Sequence, residues 1–250
     1  MCFIFDHHKG SAQNKTQEDF EPARIMPIQS LLTMKSRRAF TFMTDTAAES
    51  LRDLVATSLE RVNELWRAGD PAVLLAAANA AADEIEQRVG EPLNDAEREA
   101  LTAVRRFTLN AAADCWPGWS VPDKPPERQT LLVAQQLAQR SVRLVKKLNL
   151  GSLQEGTGIW LCGAFDLALG KHVEASSAFG VARQHFIAAK APGLALLTEG
   201  YIAIVRQITD LQVPADAEDL QQITARIAAG AFEDGADWIE QLRTALKVFA

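Results

Sequence analysis

Cysteine, long apolar runs, excess positive charge and catalytic signatures are all scarce in this chain, and each scarcity removes a class of protein. Only three cysteines occur, Cys2, Cys115 and Cys162, far apart and without a C-x-x-C pair, so neither a disulfide framework nor a zinc ligand set can be read from them. A reducing compartment, the cytoplasm, fits that usage. The formal net charge of −6 at pH 7 opposes general attraction to phosphate backbones, and no nucleic-acid partner is expected. No apolar run approaches the roughly 20 residues a membrane span needs, and the N-terminus lacks the basic, apolar, small-residue order of a signal peptide, so no membrane partner is expected.

The catalytic search is equally bare. No H-E-x-x-H, G-x-S-x-G or G-x-G-x-x-G occurs. "HVE" at His172–Glu174 has the H-x-E of zinc deaminases, but no P-C-x-x-C follows it. "GAFDLALGK" has too many residues between its glycines for a phosphate loop, and "GSLQEGTG" at Gly151 lacks the lysine. His172 and His185 fall roughly 220° apart around one helix at about 3.6 residues per turn, so they cannot share a metal. His7 and His8, adjacent in a tail, lack fixed geometry for one. No cofactor, metal or catalytic residue is assigned, and the chain reads as a non-enzyme.

What the sequence does contain is helix. Its 250 residues suffice for one large core or two small ones, with roughly 70% of the unfolded surface buried. Residues 1–42 show no sustained period and read as a flexible N-terminal arm. Met43, followed by "TDTAAESLRDLV", is an alternative beginning, with Asp45 or Thr46 capping the first helix and residues 1–42 an upstream extension. Residues 43–250 read as a single all-helical domain. Leu51, Leu54, Val55, Leu59, Val62, Leu65 and Trp66 form one apolar stripe that stops at Gly69. Asp70 and Pro71 restart the chain as cap and first helical residue, which demands an αα-hairpin. An alanine-rich helix follows, ending near Gly90, and Asn94 or Asp95 opens a third.

Residues 114–127, "DCWPGWSVPDKPPE", form a Trp- and Pro-rich corner where Pro117, Pro122, Pro125 and Pro126 forbid helix. Trp116 and Trp119 are costly to leave in water and should pin the corner to the body. The alternative is a ligand mouth, with Trp116, Trp119 and Trp160 around a small apolar or peptide signal. A long helix then runs from about Pro126 to Asn149, and Arg140, Arg143 and Lys147 make its basic stripe. That stripe either grips an anionic partner or pairs with the chain's own Asp83, Glu84, Glu86, Glu91, Asp95, Glu97 and Glu99.

From about Thr157 to Leu169 and from about Lys171 to Ala188 the pattern gives two helices joined at Gly170. Gly163, Ala175 and Ala182 supply small contacts, and Phe179 follows Ala175 at a four-residue step. This segment resembles one degenerate tetratricopeptide repeat, over about 34 residues, with Ala175-x-x-x-Phe179 its most telling part. It departs from the family where Ile159 and Cys162 stand at the Trp and Leu positions, where Trp160 is one residue out of place, and where the closing proline is missing. Further helices begin near Pro192, near Ala217 and near Asp234. About nine helices in antiparallel αα-hairpins fit either a tetratricopeptide-like array or an all-helical bundle. The resemblance implies a protein-interaction adaptor that takes a peptide or partner helix in an apolar groove. By register that groove is Trp160, Ala164 and Leu167, then Leu194, Thr198 and Tyr201, unless another helix of the chain already fills it. The family's clamp for a C-terminal carboxylate needs Lys, Asn and Arg there, and they are absent.

Overall fold

Local capping chemistry sets several helix boundaries in the computed structural model, which describes the backbone of residues 30–119, 126–209 and 218–250 and side chains from residue 48 on. By backbone contacts the chain divides into two units, Met1–Ser50 and Leu51–Ala250; everything that follows concerns the second, apart from the start of the first helix. Among the described residues there are nine α-helices, one short 3-10 turn and no strand. None of these helices is long and apolar enough to cross a membrane.

Helix α1 spans Ser30–Ala68. The expected start at Asp45 or Thr46 is therefore corrected, because both lie inside the helix, and the expected arm is helical from Ser30. The reason is simple: residues 28–68 contain neither Gly nor Pro, so nothing local stops the helix from extending upstream of Met43. The rest of the arm, with Cys2, His7 and His8, lies outside the described residues. Helix α2, Pro71–Gln87, opens as expected: Asp70 Oδ1 accepts from the backbone N–H of Ala72 (3.0 Å) and Val73 (3.2 Å). Helix α3, Asp95–Asp114, begins in a reciprocal capping box between Asn94 and Glu97. Glu97 also accepts from the Gly90 N–H at 2.9 Å, which ties the α2–α3 loop to the same carboxylate.

The corner follows as Cys115, Trp116 and the 3-10 turn Pro117–Trp119. Helix α4 is Arg128–Leu148, two residues later than Pro126 suggested, and it ends on Asn149 in the left-handed region (φ 54°). Helix α5 is Ser152–Ala168, starting earlier than the expected Thr157. Gly156 and Gly158 look like breakers in sequence, yet here they are packing positions. A Cβ on Gly156 would stand 3.0 Å from His185 Cβ, and one on Gly158 2.7 Å from Val142 Cγ2. Helices α6 (His172–Ala188), α7 (Pro192–Thr209), α8 (Leu220–Ala229, capped by an Asp219–Gln222 box) and α9 (Gly235–Phe249) complete the chain.

From α2 to α9 each helix packs on the next, with additional contacts between α2 and α4 and between α7 and α9. A single hydrophobic core runs through them, from Leu51 and Val62 of α1 to Leu242 and Ala245 of α9. Glycines on α7 let α9 approach closely: a Cβ on Gly200 would come within 2.6 Å of Leu242 Cδ1. An ion network braces the same end of the array, where the Glu199 carboxylate receives Arg183 at 2.5 Å and Arg226 at 3.2 Å, and Arg226 also meets Glu218.

Candidate functional site

The α5–α6 hairpin closes with backbone geometry that its sequence requires. Gly170 adopts φ 74°, its N–H donates to Leu167 O (3.0 Å), and the Lys171 N–H donates to Asp166 O (2.8 Å), the paired bonds of a Schellman turn. Below the turn the helices lie so close that a Cβ on Gly163 would be 3.0 Å from Ala178 Cβ and 3.2 Å from the Phe179 ring. Ala175, Phe179, Ala182 and Phe186 are all buried on the inner face of α6. Small residues here serve contact between helices.

The histidines of this hairpin do not meet. His172 opens α6, with Nδ1 buried and without a hydrogen-bond partner, while Glu174 is exposed two residues on. His185 near the other end has Nδ1 3.9 Å from Glu155 Oε2. Among the described residues no group of three or more His, Cys, Asp or Glu is placed to hold a metal. Burial, reinforced by Asp114 and by Asp166 respectively, pushes the Cys115 and Cys162 thiols up to about 12. Neither is a thiolate near neutral pH, and so neither is an activated nucleophile.

The expected groove is closed by the chain itself. Trp160, Ala164, Leu167, Thr198 and Tyr201 are buried and Leu194 is half-buried, so of the two readings of these positions, a groove open to a partner and one filled by the chain, the burial fits the second. The corner covers part of them: Trp116, only 2% exposed, donates its Nε1–H to Ala164 O at 3.0 Å, across 48 residues of sequence. Its ring meets Trp160 (centroids 5.6 Å), Tyr201 (5.6 Å) and Phe249 at the end of α9 (6.0 Å). Thr198 turns its hydroxyl back to Leu194 O, and the buried Tyr201 hydroxyl accepts from Gln241 Nε2 at 2.8 Å. Burial raises the Tyr201 pKa far above the usual phenol range, so it stays neutral.

The three indoles read as an alternative ligand pocket do come together. Trp116 stands edge-on to Trp119 at 5.0 Å, and Trp119 lies 6.1 Å from Trp160. They pack on one another, and Trp119 Nε1 is taken by Ala113 O. Trp160 Nε1 alone in this cluster is buried without an acceptor. The sequence pattern did not reveal Phe179 and Phe249 as further members of the cluster, because their contact to it depends on packing between distant helices.

The basic stripe of α4 splits into three fates. Arg140 is buried and clasped by α2, with Nε on Glu86 Oε1 (2.6 Å), Nη2 on Asp83 Oδ1 (2.7 Å) and Nη1 on Asn79 Oδ1 (3.0 Å). Lys147 pairs with Glu91 at 2.9 Å, and Arg143 is exposed. As a continuous surface for an anionic partner the stripe does not exist, because its first member is internal.

One surface went unread in the sequence. The outer face of α6 exposes Val173 (69%), Val181 (46%) and Ile187 (48%), with Ser177, Gln184 and Ala188 between them. Gly180 sits on this side at mid-helix, and a Cβ there would meet nothing within 4 Å. The signal was present in sequence as Val173, Val181 and Ile187 lying off the inner Ala175, Phe179, Ala182 and Phe186 stripe, where a helix with one water-facing side requires no large apolar residue. No protein-family model, no curated protein and no solved structure matches this chain.

Proposed function

We propose that this chain is a non-enzymatic protein-interaction module of the adaptor kind, and that it receives a partner helix on the outer face of α6 instead of in the groove between α5 and α7. The observation that carries the reading is the presence of large apolar side chains on both sides of α6. Its inner stripe, Ala175, Phe179, Ala182 and Phe186, is spent on the core, while Val173, Val181 and Ile187 face outward. The hairpin order of the helices and the Ala175-x-x-x-Phe179 contact support kinship in architecture with tetratricopeptide-type arrays, whose role is contact with other polypeptides. A reducing, cytoplasmic setting belongs to the same reading, supported by the free thiols of Cys115 and Cys162.

A photoreactive amino acid at position 181 of the full chain, activated in cells, tests it. The expected result is a discrete polypeptide adduct at 181, and none at Arg243, which is exposed on α9 away from α6. Absence of any adduct from 173 and 181 sinks the reading. The Trp160 Nε1 without an acceptor favours a second one, a regulatory domain holding a small apolar ligand with a hydrogen-bond acceptor among Trp116, Trp119 and Trp160. In that case position 181 gives no adduct, and tryptophan emission shifts saturably with ligand.

A further inference from the structure

We propose that α8 is a detachable strap, which opens and recloses by itself over its seat on α7 and the start of α9 while the rest of the array stays folded, and whose polar clasp is Arg226 on Glu199. Three features of the helix lead there, and none depends on the interaction reading above.

The first is how little α8 buries. Of its 10 residues Ile223 and Ile227 are buried and Leu220 is half-buried beside them, whereas every other helix from α2 to α9 buries at least four. Segments with few buried apolar contacts open at a fraction of the free energy of global unfolding. An isolated helix is marginal below roughly 12–15 residues, so α8 melts once it leaves its seat.

The second is that both ends of α8 are closed within the segment itself. The Gln222 N–H donates to Asp219 Oδ1 (2.7 Å) and the Asp219 N–H to Gln222 Oε1 (2.9 Å), while the Gly230 N–H donates to Arg226 O (3.0 Å) and Ile227 O (3.3 Å). Among the described residues neither cap bonds to another helix. A hinge follows at once, because Ala231 stands in the left-handed region (φ 49°), a conformation costly for a residue with a Cβ and relieved when the segment opens. Phe232 stops the opening there: its ring lies 5.6 Å from that of Trp238, and a Cβ on Gly193 of α7 would stand 3.1 Å from it. Beyond it α9 keeps its own hold on α7, through Leu242 against Gly200 and the Gln241 amide on Tyr201.

The third is the clasp. Among the described residues the one side-chain hydrogen bond from α8 to another helix runs from Arg226 Nη1 to Glu199 Oε2 of α7 at 3.2 Å, and Arg226 also meets Glu218. The Arg226 side chain is 51% exposed, so salt screens this pair. Releasing it strands no carboxylate, because Glu199 keeps the Arg183 guanidinium of α6, with Nε at 2.6 Å. The strap is thus held by two isoleucines and one screenable ion pair, and it can let go without leaving an unpaired charge behind.

Hydrogen exchange of the full chain, read by mass spectrometry at about 0.05 M and about 1 M NaCl, is the test; the higher concentration cuts the screening length to about 3 Å. Relative to their unfolded rates, the amides of Ile223–Gly230 should exchange at least about tenfold faster than those of Leu196–Val205 in α7 and Trp238–Ala245 in α9. Urea below the unfolding transition should scarcely accelerate α8 while it accelerates α7 steeply, since lifting the strap exposes little new surface. Arg226→Gln keeps helix propensity and removes the charge; it should speed exchange in α8 alone by about two- to fivefold at low salt, the span of an exposed ion pair. At high salt the variant and the parent should converge. Protection of α8 equal to that of α7, or a urea response as steep as that of α7, overturns the proposal, because α8 then opens only when the whole array unfolds. So does exchange unmoved by Arg226→Gln at low salt, or a gap between variant and parent that persists at high salt, because Arg226 is then not an ionic clasp.

Discussion

On one side of the α5–α6 hairpin, Trp160 and Ala164 lie under Trp116; on the other, Val173 and Val181 of α6 are bare. Both surfaces present apolar side chains, and both are carried by helices rich in small residues. What differs is the segment that reaches them. The corner between α3 and α4 brings an indole that covers Trp160 and Ala164 and anchors itself on a backbone carbonyl, whereas no described segment covers the outer side of α6. The glycines record the same contrast, crowded at Gly163 and open at Gly180. Apolar side chains on a helix face are therefore evidence of contact in general, and the room around its glycines tells whether that contact is already made within the chain.

If this contrast is real, equal substitutions on the two sides must have unequal costs. Trp116→Ala should show the largest effect, a loss of about 3–5 kcal/mol, because it empties a buried site and removes the bond to Ala164 O. Trp66→Ala, at a position 46% exposed on α1, should stay within about 0.5 kcal/mol. Urea denaturation midpoints measure both, and a Trp116→Ala loss under about 1 kcal/mol would mean that the corner does not plug the groove. The glycine pair comes next. Gly163→Leu forces a side chain between Ala178 and Phe179 and should cost about 1–3 kcal/mol, while Gly180→Leu should stabilise the isolated chain by up to about 1 kcal/mol. Equal effects at the two positions would erase the distinction between a covered and an uncovered face.

Much of the architecture was legible, because it is written in local chemistry. Asp70-Pro71, Asn94 with Glu97, and Gly170 each fix a boundary within a few residues of themselves, and the structure uses all three. The hairpin contact of Gly163 with Phe179 was legible as well, since small and large residues alternate at helical spacing. Less visible was everything that joins distant segments. Nothing near Ala164 announces that Trp116 will cap it, and nothing near Trp160 or Tyr201 distinguishes an open groove from a filled one. The start of α1 was placed too late: Asp45 and Thr46 have the chemistry of a cap, but no Gly or Pro stands between residues 28 and 68 to stop the helix, and it begins at Ser30. The outer face of α6 went unread because the inner stripe accounts for Phe179 and Phe186 but leaves Val173, Val181 and Ile187 without a partner.

The smallest of these contrasts belongs to one residue type on one helix. Arg140 and Arg143 are a single turn apart in α4, yet Arg140 is held by Glu86, Asp83 and Asn79 while Arg143 faces water. Removing the cation with Arg140→Met leaves Asp83 and Glu86 facing each other. Were both carboxylates fully buried, breaking such a pair would cost about 3–5 kcal/mol. Their side chains, however, remain 50% and 31% exposed, so water takes over much of the solvation and the expected loss falls to about 1–2 kcal/mol. Arg143→Met should change stability by less than about 0.5 kcal/mol. Raising the salt concentration should leave most of the Arg140 effect in place, since a clasp closed over a buried guanidinium is screened less than an exposed pair. If the two variants unfold at the same urea concentration, α4 is not tied to α2 through Arg140, and its basic stripe returns as a free surface.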